Sequence, residues 1–246
     1  MQRNGSARLL LTCAALVLTA CSGQPGSAPQ ESGAADEAYN PRIDPADFVA
    51  VVDNAYMPLS PGTTFVYDGT TENGNEHNEV YVSSETKTIL GVECVVVKDT
   101  VVVDGVLEEA TLDWYAQDKS GNVWYFGEDS KEYQEGGVVS SAGSWEAGVN
   151  GALPGIVMQA DPAVGDTYRQ EYYKGEAEDW ASVLSLTESA TVGTGAYSKV
   201  LVTKEWSGLD NPPVYEHKYY AEGVGFILTK YIEGGFEMQL TEIRHD

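Results

Sequence analysis

From about residue 47 to residue 243 the chain repeats one rhythm, in which β-branched and aromatic runs are closed roughly every ten residues by a turn-former. No stretch sustains an apolar period of 3.6 residues, so helices are not expected and the domain reads as mainly β and antiparallel. The first strong strand is Thr63-Thr-Phe-Val-Tyr, and 78–90 and 92–103 follow. Asp104-Gly105 then predicts a tight hairpin, because glycine accepts the positive φ that a two-residue turn requires. Asp118-Lys-Ser-Gly121 links two further runs in the same way, and later strands are expected at 167–174, 181–192, 199–206, 214–221, 226–232 and 236–243. In Phe236-Glu-Met-Gln-Leu-Thr apolar and polar residues alternate, which places one face in a core and the other in water. The expectation is a single antiparallel meander that curls into a half-barrel or barrel, with a sandwich as the other way to pack it.

The start of the chain differs. Arg3 and Arg8 precede a short apolar run, 9–20, too short to span a bilayer and laid out as a secretory signal. Leu18-Thr19-Ala20-Cys21 resembles the lipobox of bacterial lipoproteins. That resemblance implies cleavage before Cys21 and acylation of its thiol, with an exported domain facing the periplasm or exterior and lipid-anchored to the cell membrane or outer membrane. Each buried methylene adds about 0.8 kcal/mol, so several acyl chains hold where one does not. Residues 21–46 are rich in Gly, Ser, Ala and Pro and read as a flexible tether, leaving 47–246 as one globular domain.

Charge excludes one class of partner. The chain has 14 basic and 38 acidic residues; loss of Arg3 and Arg8 with the signal leaves 12 against 38, a formal −26. Nucleic acid would be repelled, as would anionic headgroups, so the membrane is met through acyl chains. Of three cysteines only Cys94 would remain unmodified, in the strand Glu93-Cys-Val-Val-Val, where it reads as a small apolar core residue. His77, His217 and His245 form no zinc pattern, and phosphate loops, dinucleotide fingerprints and nucleophile elbows are missing, so no metal, cofactor or catalytic residue is assigned. Asp118, Ser120 and Asn122 alternate as in calcium loops, but Gly121 breaks that order and a plain hairpin turn fits better.

Between 136 and 162 the strand rhythm lapses into one long loop that nevertheless carries Trp145, Leu153, Ile156, Val157 and Met158. Long loops in compact domains are commonly binding loops or lids. Trp114, Trp124, Trp145 and Met158 are therefore the candidate ligand contacts, with Trp145 either covering the mouth of a cavity or plugging the end of the sheet. Aromatics also alternate with acids here, so Asp113, Glu128, Glu146 and Glu171 are candidate acid and base of a glycan hydrolase, which needs two carboxylates about 5–10 Å apart.

Tyr56-Met-Pro-Leu-Ser-Pro-Gly-Thr-Thr-Phe-Val-Tyr resembles the Tyr-x-Pro-Leu-x-x-Gly-x-x-Trp-x-Tyr opening of many functionally uncharacterised bacterial lipoproteins, with Phe65 in place of Trp. Some of these are similar in architecture to lipoprotein carriers of the LolA/LolB type, whose curved sheet encloses an apolar cavity. The resemblance implies a non-catalytic binding or carrier protein for a small apolar or amphipathic ligand. A glycan hydrolase and a ligand-free structural envelope protein stand as the alternatives.

Overall fold

The β-branched runs become strands and the turn-formers separate them. The computed structural model describes residues 39–246 other than 72, 134–136 and 138, and contains no α-helix among the described residues. The expected signal, Cys21 and the part of the expected tether up to residue 38 lie outside the described residues. A 3₁₀ turn, η1 (Pro45–Asp47), comes first, with Asp44 Oδ1 accepting the Ala46 N–H at 3.0 Å. After it, β1 (Phe48–Val49) pairs with a later strand, and β2 (Asp53–Asn54) pairs with β3 (Met57–Pro58).

One antiparallel meander follows, made of β4 (Thr63–Thr71), β5 (Gly74–Ile89), β6 (Val92–Val103), β7 (Val106–Asp118) and β8 (Val123–Tyr133). The β6–β7 turn is the expected Asp-Gly pair, with Asp104 at φ 48° and Gly105 at φ 81°. A second meander contains β14 (Asp179–Val192), β15 (Gly195–Ser207), β16 (Glu216–Ala221), β17 (Gly225–Tyr231) and β18 (Glu237–His245). Strand β18 lies along β4 from Glu237↔Thr70 to His245↔Thr63 and joins the two meanders into a 16-stranded antiparallel sheet.

The segment 136–162 keeps an irregular course, yet three short pieces of it hydrogen-bond to β8: β9 (Val139–Ser140), β10 (Trp145–Glu146) and β11 (Leu153–Met158). Beyond it come β12 (Thr167–Arg169) and β13 (Glu171–Tyr172), separated by Gln170 alone. Strand β12 pairs with β14 and β13 pairs with β11, so the two ends of the sheet are consecutive pieces of one stretch of chain. The sheet thereby curls into a nearly closed barrel rather than a half-barrel or sandwich. Gly155 lies at this seam, where a Cβ would overlap the Gln170 carbonyl group.

Residues 50–60 form a strap across one barrel end. Asn54 Nδ2 donates to Gly121 O at 2.8 Å by the β7–β8 turn, and Gly223 N donates to Ala55 O at 2.7 Å by the β16–β17 turn. Val52, Met57 and Leu59 point from the strap into the core. Residues 56–67, which resemble the opening segment of bacterial lipoproteins, thus form part of this strap and the start of β4.

Candidate functional site

Alternation along the strands decides what faces the barrel interior. On β6, Val97, Asp99, Val101 and Val103 are buried while Lys98, Thr100 and Val102 are half-buried, so Asp99 shares the inward face with valines. On β5 the inward set includes Asn78 and Val80, on β4 Phe65 and Tyr67, and on β16 Lys218 and Tyr220. Beneath Met57, Pro58 and Leu59 of the strap these side chains, with Val224, Gly225 and Phe226, enclose a cavity of about 50 Å³. At roughly 10–15 Å³ per water it has room for a few water-sized groups, enough for the head of a small ligand whose body leads out through the mouth. Its mouth is edged by the half-buried Pro58, Val224 and Phe226.

The wall is aromatic and the floor is polar. Phe226 stands between Tyr67 and Tyr220, with ring centroids 5.0 and 5.7 Å away. At the floor, Asn78 Nδ2 donates to Asp99 Oδ1 and to Thr100 O at 3.3 Å, while Asn78 Oδ1, fully buried, has no partner. Burial pushes the Asp99 carboxyl well above the usual range, and the nearby Asp113 pushes it further. Lys218 reaches Glu205 at 3.0 Å and Glu216 at 3.1 Å, so its charge is already met within the wall. Tyr220 OH also donates to Glu205, at 3.1 Å.

Deeper in the barrel is a second polar group. The register sets Asp113 directly opposite Glu128, and Tyr125 OH donates to Asp113 Oδ1 at 2.6 Å with Glu128 Oε2 at 3.3 Å. Glu171 accepts the Trp145 indole N–H at 2.9 Å and shares a hydrogen bond with Asp179. Like charges this close in low dielectric cannot all ionise, and burial raises the Asp113 carboxyl to about 7. Three of the four sequence-derived acids, Asp113, Glu128 and Glu171, are therefore neighbours, each at most 2% exposed. Glu146 is apart from them, paired with Lys87 at 2.7 Å. A glycan could reach the three only if the barrel opened.

The four candidate ligand contacts do not converge. Trp114 is buried beneath Lys87 Nζ, 3.3 Å from its ring centroid. Trp124 donates Nε1 to Asp118 Oδ2 at 2.9 Å beside a polar surface cleft. Trp145 packs edge-on against Tyr125 at 5.4 Å, and Met158 is fully buried in the core. None of them lines the cavity under the strap. Asp118 accepts the Ser120 and Asn122 backbone N–H groups at 2.9 and 3.0 Å, as a hairpin turn requires. Among the described residues no group of three or more His, Cys, Asp or Glu is arranged to hold a metal ion.

Sequence reading passed over Asn78, Asp99 and Lys218, although a signal existed. Val97-Lys-Asp-Thr-Val-Val-Val103 places one carboxylate on an otherwise valine face at strand period, and a lone charge in phase with a core face is a buried charge. That Asn78 and Lys218 meet it from distant strands depends on closure of the barrel, which no local pattern encodes.

Neither a family model nor a curated protein matches the chain. Among solved structures it is similar to one from Bacteroides fragilis, described as an exported protein with YmcC-like fold, at 14% identity and TM-score 0.43 over 78% of this chain and 99% of that one. It is also similar to one from Parabacteroides distasonis, described as a lipoprotein, at 14% identity and TM-score 0.44 over the same shares.

Proposed function

We propose that this chain is an exported lipoprotein, anchored to the cell membrane or outer membrane by acyl groups on Cys21, and that its barrel binds a small apolar or amphipathic ligand without catalysis. The observation that carries the binding reading is the cavity under the strap, whose aromatic wall leads to a buried polar floor with an unpartnered acceptor. Such convergence of apolar lining with a few polar groups is what small-molecule sites are made of. The anchoring reading rests on the sequence of residues 1–21. Enzymatic use of Asp113, Glu128 and Glu171 is disfavoured by their burial, since an acid or base must touch its substrate.

Filling the cavity tests the binding reading. Val80 lines it and is only half-buried, so Val80→Phe places a ring in the space without removing core contacts. Calorimetric titration of the full-length protein in detergent with hexanol, after subtraction of a protein-free blank, should give saturable binding that Val80→Phe weakens at least tenfold. Equal binding by a folded Val80→Phe protein would rule out this cavity. For the anchor, Cys21→Ala should leave the protein as unprocessed precursor or release it in soluble form, and normal retention of that variant in salt-washed membranes would refute acyl anchoring.

A further inference from the structure

Apart from the proton of the Asp99 carboxyl, every donor at the cavity floor is engaged. Asn78 Nδ2 is directed at Asp99 and Thr100 O, Tyr67 OH donates to Phe226 O at 3.1 Å, Tyr220 OH donates to Glu205, and Lys218 lies between Glu205 and Glu216. The unmet capacity is an acceptor, Asn78 Oδ1, beside the Asp99 carboxyl. A ligand reaching the floor can therefore donate to that acceptor.

Electrostatics selects which donor. The charged groups acting on Asp99 are Asp113 and Glu109 from β7 and Glu76 from β5, all acidic, while Lys218 on β16 is compensated by two carboxylates. Tyr67 and Tyr220 add only neutral phenols, whose ionisation burial opposes. The floor therefore holds no uncompensated positive charge, and ionisable acids surround it. The rings of Phe65, Tyr67, Tyr220 and Phe226 complete the surroundings. Aromatic faces and a carboxylate together are the chemistry that holds an alkylammonium group, through cation–π attraction and a charge-assisted hydrogen bond. A carboxylate or phosphate head would find no uncompensated positive charge at the floor, and the Asp99 carboxyl proton as its one open donor.

We infer that the ligand is a small amine with an apolar body, whose ammonium group is received by Asp99 and Asn78 under the strap. This rests on the binding reading above. In the empty cavity burial and its acidic neighbours keep Asp99 protonated, so the arriving ammonium displaces the carboxyl proton to solvent and leaves an ammonium–carboxylate pair. Binding therefore releases one proton, and affinity should rise close to tenfold per pH unit until Asp99 ionises unaided.

The test compares hexylamine, hexanol and hexanoate, three probes with one tail and different heads, on the full-length protein in detergent by calorimetry. Hexylamine should bind at least tenfold more tightly than hexanol and hexanoate most weakly, with hexylamine affinity rising with pH and hexanol affinity flat. Titration in buffers of different ionisation enthalpy should report about one proton released per amine. Asp99→Asn should remove the preference for hexylamine and its pH slope; the proton count on the wild type needs no variant and stands if that variant fails to fold. Hexanol or hexanoate binding as tightly as hexylamine, or amine binding without proton release, would overturn the ammonium assignment while leaving the binding reading intact. Failure of all three probes to bind would overturn the binding reading and this inference with it.

Discussion

Trp145 is 4% exposed, lies edge-on to Tyr125 and donates its indole N–H to Glu171. Removing it takes away a large buried ring and leaves a buried carboxyl without its donor, so Trp145→Ala should lose about 3–5 kcal/mol in urea unfolding. A loss below about 1 kcal/mol would mean that the indole does not carry the packing around Tyr125. Cys94 is fully buried in the same core, and desolvation pushes its thiol up to about 12. Thiolate is the reactive form, so a disulfide reagent should label the thiol only after denaturant unfolds the barrel. Labelling in native buffer at a free-cysteine rate would contradict that environment. The structural character of Cys94 could be read from Glu93-Cys-Val-Val-Val, whereas the indole's partner could not, because Glu171 sits on a different strand, β13, and follows Trp145 by 26 residues.

At the scale of elements, the strands legible in advance were those with local signals. The Asp104-Gly105 turn sits where glycine and aspartate demanded it, and Phe236 to Thr241 alternates as its pattern requires. The β5–β6 turn carried no such signal on its first residue, since Leu90 adopts φ 50°, a region β-carbon sterics disfavour, with Gly91 following at φ 82°. The segment 136–162 hid its three strands for another reason: pieces of two to six residues are too short for period 2 to rise above chance. Barrel closure depends on one of them. Because Gly155 touches the Gln170 backbone, a methyl group there must push β11 away from the 167–172 stretch. Gly155→Ala should therefore speed amide hydrogen exchange at 153–158 and 167–172 far more than in β4 and β5. Uniform acceleration over the whole sheet would indicate that the seam and the rest of the barrel open as one unit.

For the whole molecule, the surplus of acid found at the surface extends into the barrel. Burial raises Glu76, Asp113 and Glu216 to about 7 and holds Asp99 and Glu171 well above the usual carboxylate range. Each has a folded-state pKa above its unfolded value near 4, so between those values the native protein binds more protons than the unfolded chain. The derivative of stability with pH follows the difference in bound protons and is negative in that window. Asp68, lowered, and His217, lowered, act in the opposite sense, but Asp68 is half exposed and His217 partly so, and solvent screens both. Stability should thus be highest near pH 4–5 and decline as pH rises to about 7 and beyond. Net charge adds to the trend, because a formal −24 at pH 7 repels itself in the compact state. Salt separates the two contributions: it screens exposed charges over about 10 Å at 0.1 M and leaves buried carboxyls nearly untouched. Urea midpoints measured at pH 5, 6, 7 and 8 should fall steadily, and 0.5 M sodium chloride should recover only part of the fall. Full recovery by salt would place the effect at the surface, and a midpoint that rises with pH would mean that the interior carboxyls are ionised and stabilised by partners.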